Sequence, residues 1–73
     1  MKVYESMIEK TKRTLRVDGN LAEMDIMVLQ EGKWKKHVSM RYTPEIIKTL
    51  GFETYEEFIA WKINRNGMEE VTP

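Results

Sequence analysis

Between Leu21 and Tyr42 the chain alternates in polarity at every second residue, in two runs on either side of Gln30-Glu31-Gly32. A period of two is that of a pleated strand, whose successive side chains point to opposite faces. Two such runs joined by a short glycine-containing segment predict an antiparallel hairpin. In the first run Ala22, Met24, Ile26 and Val28 alternate with Leu21, Glu23, Asp25, Met27 and Leu29. In the second, Trp34, Val38, Met40 and Tyr42 alternate with Lys33, Lys35, His37, Ser39 and Arg41. A one-residue slip turns every side chain to the other face, so loop length decides which sets lie together. A two-residue loop, Glu31-Gly32, sets Ile26 against His37 and Val28 against Lys35, mixing core with charge. A three-residue loop sets Val28 against Trp34, Met24 against Val38 and Ala22 against Met40. It also puts Gly32 at the left-handed position of a type I turn with a bulge. The pattern therefore predicts the three-residue loop and places Trp34 on the buried face. On the outer face it pairs Leu29 with Lys33, Met27 with Lys35, Asp25 with His37, Glu23 with Ser39 and Leu21 with Arg41.

A two-stranded hairpin is marginal by itself and needs a cover for its apolar face. The carboxyl-terminal half supplies one. Thr43-Pro44-Glu45 is a helix start, with a capping hydroxyl, a proline suited to the first turn and an acid at the positive end. Ile46, Ile47 and Leu50 follow before Gly51 ends this short helix. Thr54-Tyr55-Glu56-Glu57 has the form of a capping box and opens a longer helix. Its apolar stripe is Tyr55, Phe58, Ile59 and Ile63, with Trp61 on the shoulder, and it ends over Asn64–Gly67. Residues 67–73 show no apolar period and are expected to fray. At the other end, Tyr4, Met7, Ile8, Thr11 and Leu15 recur at helical spacing, which predicts a helix from Val3 to Leu15. A strand over Thr11–Val17 competes, with Arg13, Leu15 and Val17 alternating with Lys12, Thr14 and Arg16, but its apolar face is thin. The expectation is a single α+β domain over residues 1–73: an N-terminal helix, an antiparallel hairpin, then a short and a longer C-terminal helix packed on the hairpin.

Val38-Ser39-Met40-Arg41-Tyr42-Thr43-Pro44-Glu45 followed by Thr54-Tyr55-Glu56-Glu57-Phe58-Ile59 resembles a ribbon-helix-helix DNA-binding unit over roughly Lys33 to Arg65. In that family an alternating strand runs through Pro-Glu into one helix and a capped second helix follows. This chain departs from the pattern at two points. Its first helix has only about two turns before Gly51. Its strand has a hairpin partner within the chain, whereas the family pairs strands between subunits.

At 73 residues the chain buries only about 60–65% of the surface its unfolded form exposes. That leaves little room for a substrate-enclosing cleft. There is no cysteine and one histidine, so thiolate sites and multi-histidine sites are excluded. Ser6 and Ser39 are the only serines and neither stands in a nucleophile motif, so His37 opposite Asp25 reads as a cross-strand polar pair. Glu23, Asp25 and His37 on a sheet face lack the converging loop that a hard cation needs. No catalytic residue, metal ligand set or cofactor site is expected. The absence of a cysteine, a leader-like apolar stretch and a membrane-length apolar run points to a cytoplasmic protein with no membrane association.

Twelve basic residues balance twelve acidic ones, yet residues 10–41 hold eight basic and four acidic side chains, and residues 42–73 three and six. The predicted outer hairpin face joins Leu21, Met27 and Leu29 to Lys33, Lys35 and Arg41. An apolar strip edged by long basic stems suits a flat protein surface or a second copy of the chain, and offers no small-molecule concavity. The leading expectation is a non-enzymatic protein-binding module. Its size fits an adaptor or inhibitor of the kind encoded in small reading frames of phages and mobile elements. The alternative is nucleic-acid binding by a basic face comprising Lys12, Arg13, Arg16, Lys33, Lys35 and Arg41.

Overall fold

A computed structural model describes residues 1–72. Four antiparallel strands follow one another along the chain: β1 (Lys2–Ile8), β2 (Thr11–Asp18), β3 (Leu21–Gln30) and β4 (Lys33–Tyr42). Two helices follow, α1 (Pro44–Thr49) and α2 (Tyr55–Arg65), then a short strand β5 (Glu69–Glu70). The sheet order is β4-β3-β2-β1-β5. No protein chain outside this one is needed to pair β4 with a neighbour, as the departure from the ribbon-helix-helix pattern requires.

The N-terminal helix expected over Val3–Leu15 does not form. That segment is the β1–β2 hairpin, paired from Lys2↔Val17 to Ile8↔Thr11. The competing strand over Thr11–Val17 is β2, with Leu15 fully buried and Val17 packed against the core. The physical reason lies in the turn. Glu9-Lys10 reverses the chain with no glycine, proline or asparagine, and Glu9 takes the left-handed φ of 56° that such residues usually supply. With no turn signal to interrupt it, the helical spacing of Tyr4, Ile8, Thr11 and Leu15 passes unbroken through the reversal. The β-branched and aromatic content of the segment fits strands once a neighbouring strand is present to pair with.

The β3–β4 register also differs from expectation. The loop is two residues, with Gln30 paired to Lys33, Glu31 at φ 53° and Gly32 at φ 75°. Two successive left-handed residues make the type I′ turn that matches strand twist. Gly32 is left-handed as expected, but in this tighter turn. The clash that counted against a two-residue loop, Ile26 facing His37, is removed by a β-bulge. The register shifts between Ile26 and Met27, where Ile26 pairs with Val38 and Met27 with Lys36, leaving His37 as the extra residue. Beyond it Met24 meets Met40 and Ala22 meets Tyr42. Asp25 faces Ser39 rather than His37, and Glu23 faces Arg41. On the turn side of the bulge, Trp34 pairs with Leu29. It therefore stands on the outer face, not the buried one, with 39% of its surface exposed.

The two helices form as their caps predict. Thr43 Oγ1 accepts from Ile46 N at 3.4 Å, with Pro44 in the first turn. Thr54 Oγ1 accepts from Glu57 N at 3.1 Å. Ile47, Tyr55 and Phe58 are buried against Leu15, Ala22, Met24 and Tyr42. Phe58 stacks at a tilt on Tyr42, ring centroids 4.8 Å apart, and Tyr55 donates its hydroxyl to Tyr42 O at 3.1 Å. Burial raises the phenol pKa of Tyr55. Residues 68–72 do not fray. Met68 is buried, Glu69 and Glu70 pair with Glu5 and Tyr4, and Val71 N donates to Val3 O at 2.7 Å.

Every buried residue on β2, β3 and β4 lies toward the end of the sheet from which β4 leads into α1. The end carrying the Glu9-Lys10 and Glu31-Gly32 turns projects past the helices, and the molecule is correspondingly elongated, 41 × 24 × 19 Å.

Candidate functional site

Pairing places the outer-face side chains in rows that run across the sheet. Nearest the helical end is Arg41–Glu23–Arg16–Val3, then Ser39–Asp25–Thr14–Glu5, then Lys36–Met27–Lys12–Met7. Trp34 and Leu29 form the last outer-face pair before the turn.

The first two rows satisfy one another. Asp25 is the hub: Arg16 Nη2 donates to Oδ2 and Ser39 Oγ to Oδ1, both at 2.8 Å, and Lys36 Nζ lies 3.8 Å from Oδ1. The Arg16 hydrogen bond first, and the Ser39 hydroxyl second, hold the Asp25 carboxyl below its ordinary pKa. The same bond to Asp25 raises the pKa of the Arg16 guanidinium. Glu23 takes Arg41 at 3.2 Å and Arg16 at 3.7 Å, while Glu5 takes the Thr14 hydroxyl at 3.3 Å and Lys12 at 3.5 Å. This half of the face is committed to internal pairing.

The last rows differ in kind. Two methionines alternate with two lysines across four strands, and a leucine and a tryptophan extend the patch toward the turn. Met7 is 66% exposed, and Met27 and Leu29 are half-buried by neighbouring strands alone. Lys12 and Lys36 each reach one carboxylate, at 3.5 and 3.8 Å, and the Lys36 side chain remains 58% exposed. Behind this end, the opposite face carries Lys35, Val28, Thr11 and Ile8 in a row, with Ile8 60% exposed.

The residues expected to form a partner surface are thus divided. Met27 and Leu29 come together, joined by Lys12. Leu21 lies at the far end of the same face, beside Arg16, Asp18 and Glu23. Lys33 and Lys35 are on the opposite face, because the two-residue loop pairs them with Gln30 and Val28. Arg13 is on that opposite face too, across from Ser6 and Ile26. Arg16 and Arg41 are occupied by Asp25 and Glu23. The basic face expected from Lys12, Arg13, Arg16, Lys33, Lys35 and Arg41 is therefore not one face. Sequence reasoning missed Met7, Trp34 and Lys36. The two-residue loop places Trp34 and Lys36 outward, the bulge that lets Val38 still face inward has no composition of its own, and Met7 was absorbed into the helical reading.

Concavities are small. One cleft of about 260 Å³ lies beside Leu21, and another of about 290 Å³ lies between α2 and the first hairpin, lined by Tyr4, Val17, Ile59 and Ile63. Both lie at the lower end of the ~300–1,000 Å³ typical of ligand pockets. Among the described residues no group of three or more histidines or acids is placed to hold a metal, and no helix is long and apolar enough to cross a membrane. On α2, Trp61 packs on Phe52 with Arg65 5.2 Å above its ring, a second exposed aromatic beside a cation. No protein-family model, curated protein or solved structure matches the chain.

Proposed function

We propose that this chain is a non-enzymatic binding module that docks a protein partner on the outer sheet face, at the turn end, through Met7, Met27, Leu29 and Trp34 set between Lys12 and Lys36. The observation that carries this reading is the division of one sheet face. The charges of its helical-end rows are taken up by ion pairs with one another and with Lys12 and Lys36, whereas its turn-end rows leave Met7 and Trp34 exposed. Tryptophan is enriched among the residues that dominate binding energy at interfaces. Methionine adapts its shape to a partner, and lysine stems extend the apolar area while their ammonium groups stay wet. The complementary surface is apolar at its centre with acids at the rim, and the role is that of an adaptor or inhibitor.

The test is site-specific photocrosslinking in cells that make the protein, from position 34 and, as control, from position 56 on α2. A discrete protein adduct from position 34 alone, lost on Met27→Asp, supports the reading. Lys12 and Lys36 flank position 27, so the new carboxylate is compensated locally, and monomer stability should change by less than about 1 kcal/mol. Equal adducts from both positions, or unfolding of the Met27→Asp monomer, would defeat it.

One observation favours a second reading. Trp34 on an open face, with Lys36 beside it on that face and Lys10 in the neighbouring turn outside any ion pair among the described residues, resembles the stacking-plus-phosphate arrangement of single-strand binders. Binding of a mixed-sequence oligonucleotide that falls steeply with salt and is lost on Trp34→Ala would select it.

A further inference from the structure

We infer that the free edge of β4 is a strand-addition site for an extended peptide in which acidic and apolar residues alternate. It is a different surface from the outer face proposed above.

β4 is the terminal strand of the sheet and pairs only with β3. Half of its backbone donors and acceptors therefore point away from the sheet, the arrangement that strand addition uses. Lys33 to His37 are all exposed, so no helix or loop covers this part of the edge. At its far end the strand is tied down, since Tyr42 O accepts the Tyr55 hydroxyl. The open stretch is thus the turn-proximal part of the strand.

The charge of this edge selects its occupant. β4 reads Lys33-Trp34-Lys35-Lys36-His37-Val38-Ser39-Met40-Arg41-Tyr42, with four cations and no acid. A second copy of β4 laid antiparallel along the open stretch and centred on Trp34, Lys35 or Lys36 sets lysine against lysine, and like charges directly opposite one another are destabilising. The edge therefore discriminates against itself, and the same lysines favour an acidic strand. Lys36 and Arg41 are engaged with Asp25 and Glu23 on the outer face. Lys33 and Lys35 have no ion pair among the described residues and share the opposite face, while Trp34 between them faces outward. An added strand keeps this period of two. Its acids belong on the Lys33–Lys35 side, and its apolar residues lie beside Trp34. The bulge at His37 bends the edge and limits continuous pairing to a short segment.

The test uses the full chain and the capped peptide Glu-Val-Glu-Thr-Glu-Val, followed by amide-resolved NMR. Slowed hydrogen exchange at alternate residues of Lys33–Lys36, with affinity that weakens as salt rises, is the expected result. Lys33→Glu with Lys35→Glu should weaken binding at least about tenfold, since two exposed ion pairs are lost and replaced by repulsion. The same change should shift preference to a Lys-Val-Lys-Thr-Lys-Val peptide. Methylating the acidic peptide's backbone nitrogens at alternate positions should abolish binding in one of the two phases, whatever the double variant does. The proposal is overturned by the absence of shifts at millimolar peptide, by equal binding of the lysine peptide, or by indifference to backbone methylation in both phases. Shifts confined to Met27 and Leu29 without edge protection would overturn it and leave the outer-face reading standing.

Discussion

Deleting His37 should leave the fold intact, whereas deleting Ser39, only two residues away, should come close to unfolding it. The expectation follows from the bulge. Lys36 pairs with Met27 and Val38 with Ile26, so His37 has no partner across the ladder. Its removal joins two segments that are already in register: Lys36 stays outward, Val38 stays inward, and Met40 still meets Met24. The bulge's extra twist is lost, but so is the cost of ordering one residue, about 1–2 kcal/mol for its backbone. The net change is expected within about 1 kcal/mol. Deleting Ser39 shortens the strand equally but on the wrong side of the bulge. With Met40 held opposite Met24, Val38 turns to the outer face and His37 to the inner one. The 2.8 Å hydrogen bond from Ser39 to the Asp25 carboxylate also disappears. A hydrogen bond to a charged group contributes about 1.5–3 kcal/mol, and exposing a half-buried valine costs about 1 kcal/mol. Together these approach the ~3–5 kcal/mol that a domain this small can hold in total. Urea unfolding followed by tryptophan fluorescence reads both. With a slope near ~1 kcal/mol per molar, the His37 deletion should move the midpoint by less than about 1 M and the Ser39 deletion by about 3 M. Equal losses, or the reverse order, would show that the bulge does not reconcile the two registers.

Three further outcomes are expected. Asp25→Asn should destabilise by about 1–2 kcal/mol at neutral pH, since Arg16 and Ser39 lose a charged acceptor. The folded Asp25 pKa is depressed, so its contribution is complete above the unfolded value near pH ~3.9 and is lost as pH falls through the lower folded value. The gap between wild type and variant should therefore close in acid, and a gap independent of pH would contradict the assignment. Ser6→Ala should be neutral or stabilise by up to about 1 kcal/mol, because Ser6 Oγ is buried with no hydrogen-bond partner among the described residues; a clear loss in the thermal midpoint would mean that the hydroxyl is satisfied. Glu31→Asn should stabilise by about 0.5–1 kcal/mol, replacing a glutamate at φ 53° with the residue that type I′ turns prefer, and a lower urea midpoint would argue against that turn.

The parts legible in the sequence are those whose cause is local. Thr43 and Thr54 each carry the side-chain oxygen that accepts a backbone N–H three residues on, so both helix starts are written within four residues, and the structure places Thr43 and Thr54 as the caps. Gly32 is left-handed because a tight hairpin turn needs that conformation there, whichever loop length applies. The two alternating runs from Leu21 to Tyr42 are strands because their polarity has the period of a pleat. Tertiary structure decided what depends on a distant partner. Residues 3–15 have helical spacing and strand-forming side chains at once, and only pairing of β2 with β3 selects the strand. Glu9-Lys10 turns because the two flanking strands pair, not because of its own chemistry. Residues 68–72 are held by the edge of β1, which lies more than sixty positions back along the chain. The candidate site belongs to this second group. Whether Trp34 faces core or solvent depends on one unpaired residue, His37. A bulge costs little locally, and its gain, Ile26 on Val38 and Met24 on Met40, is collected only when both strands and the helices above them are in place.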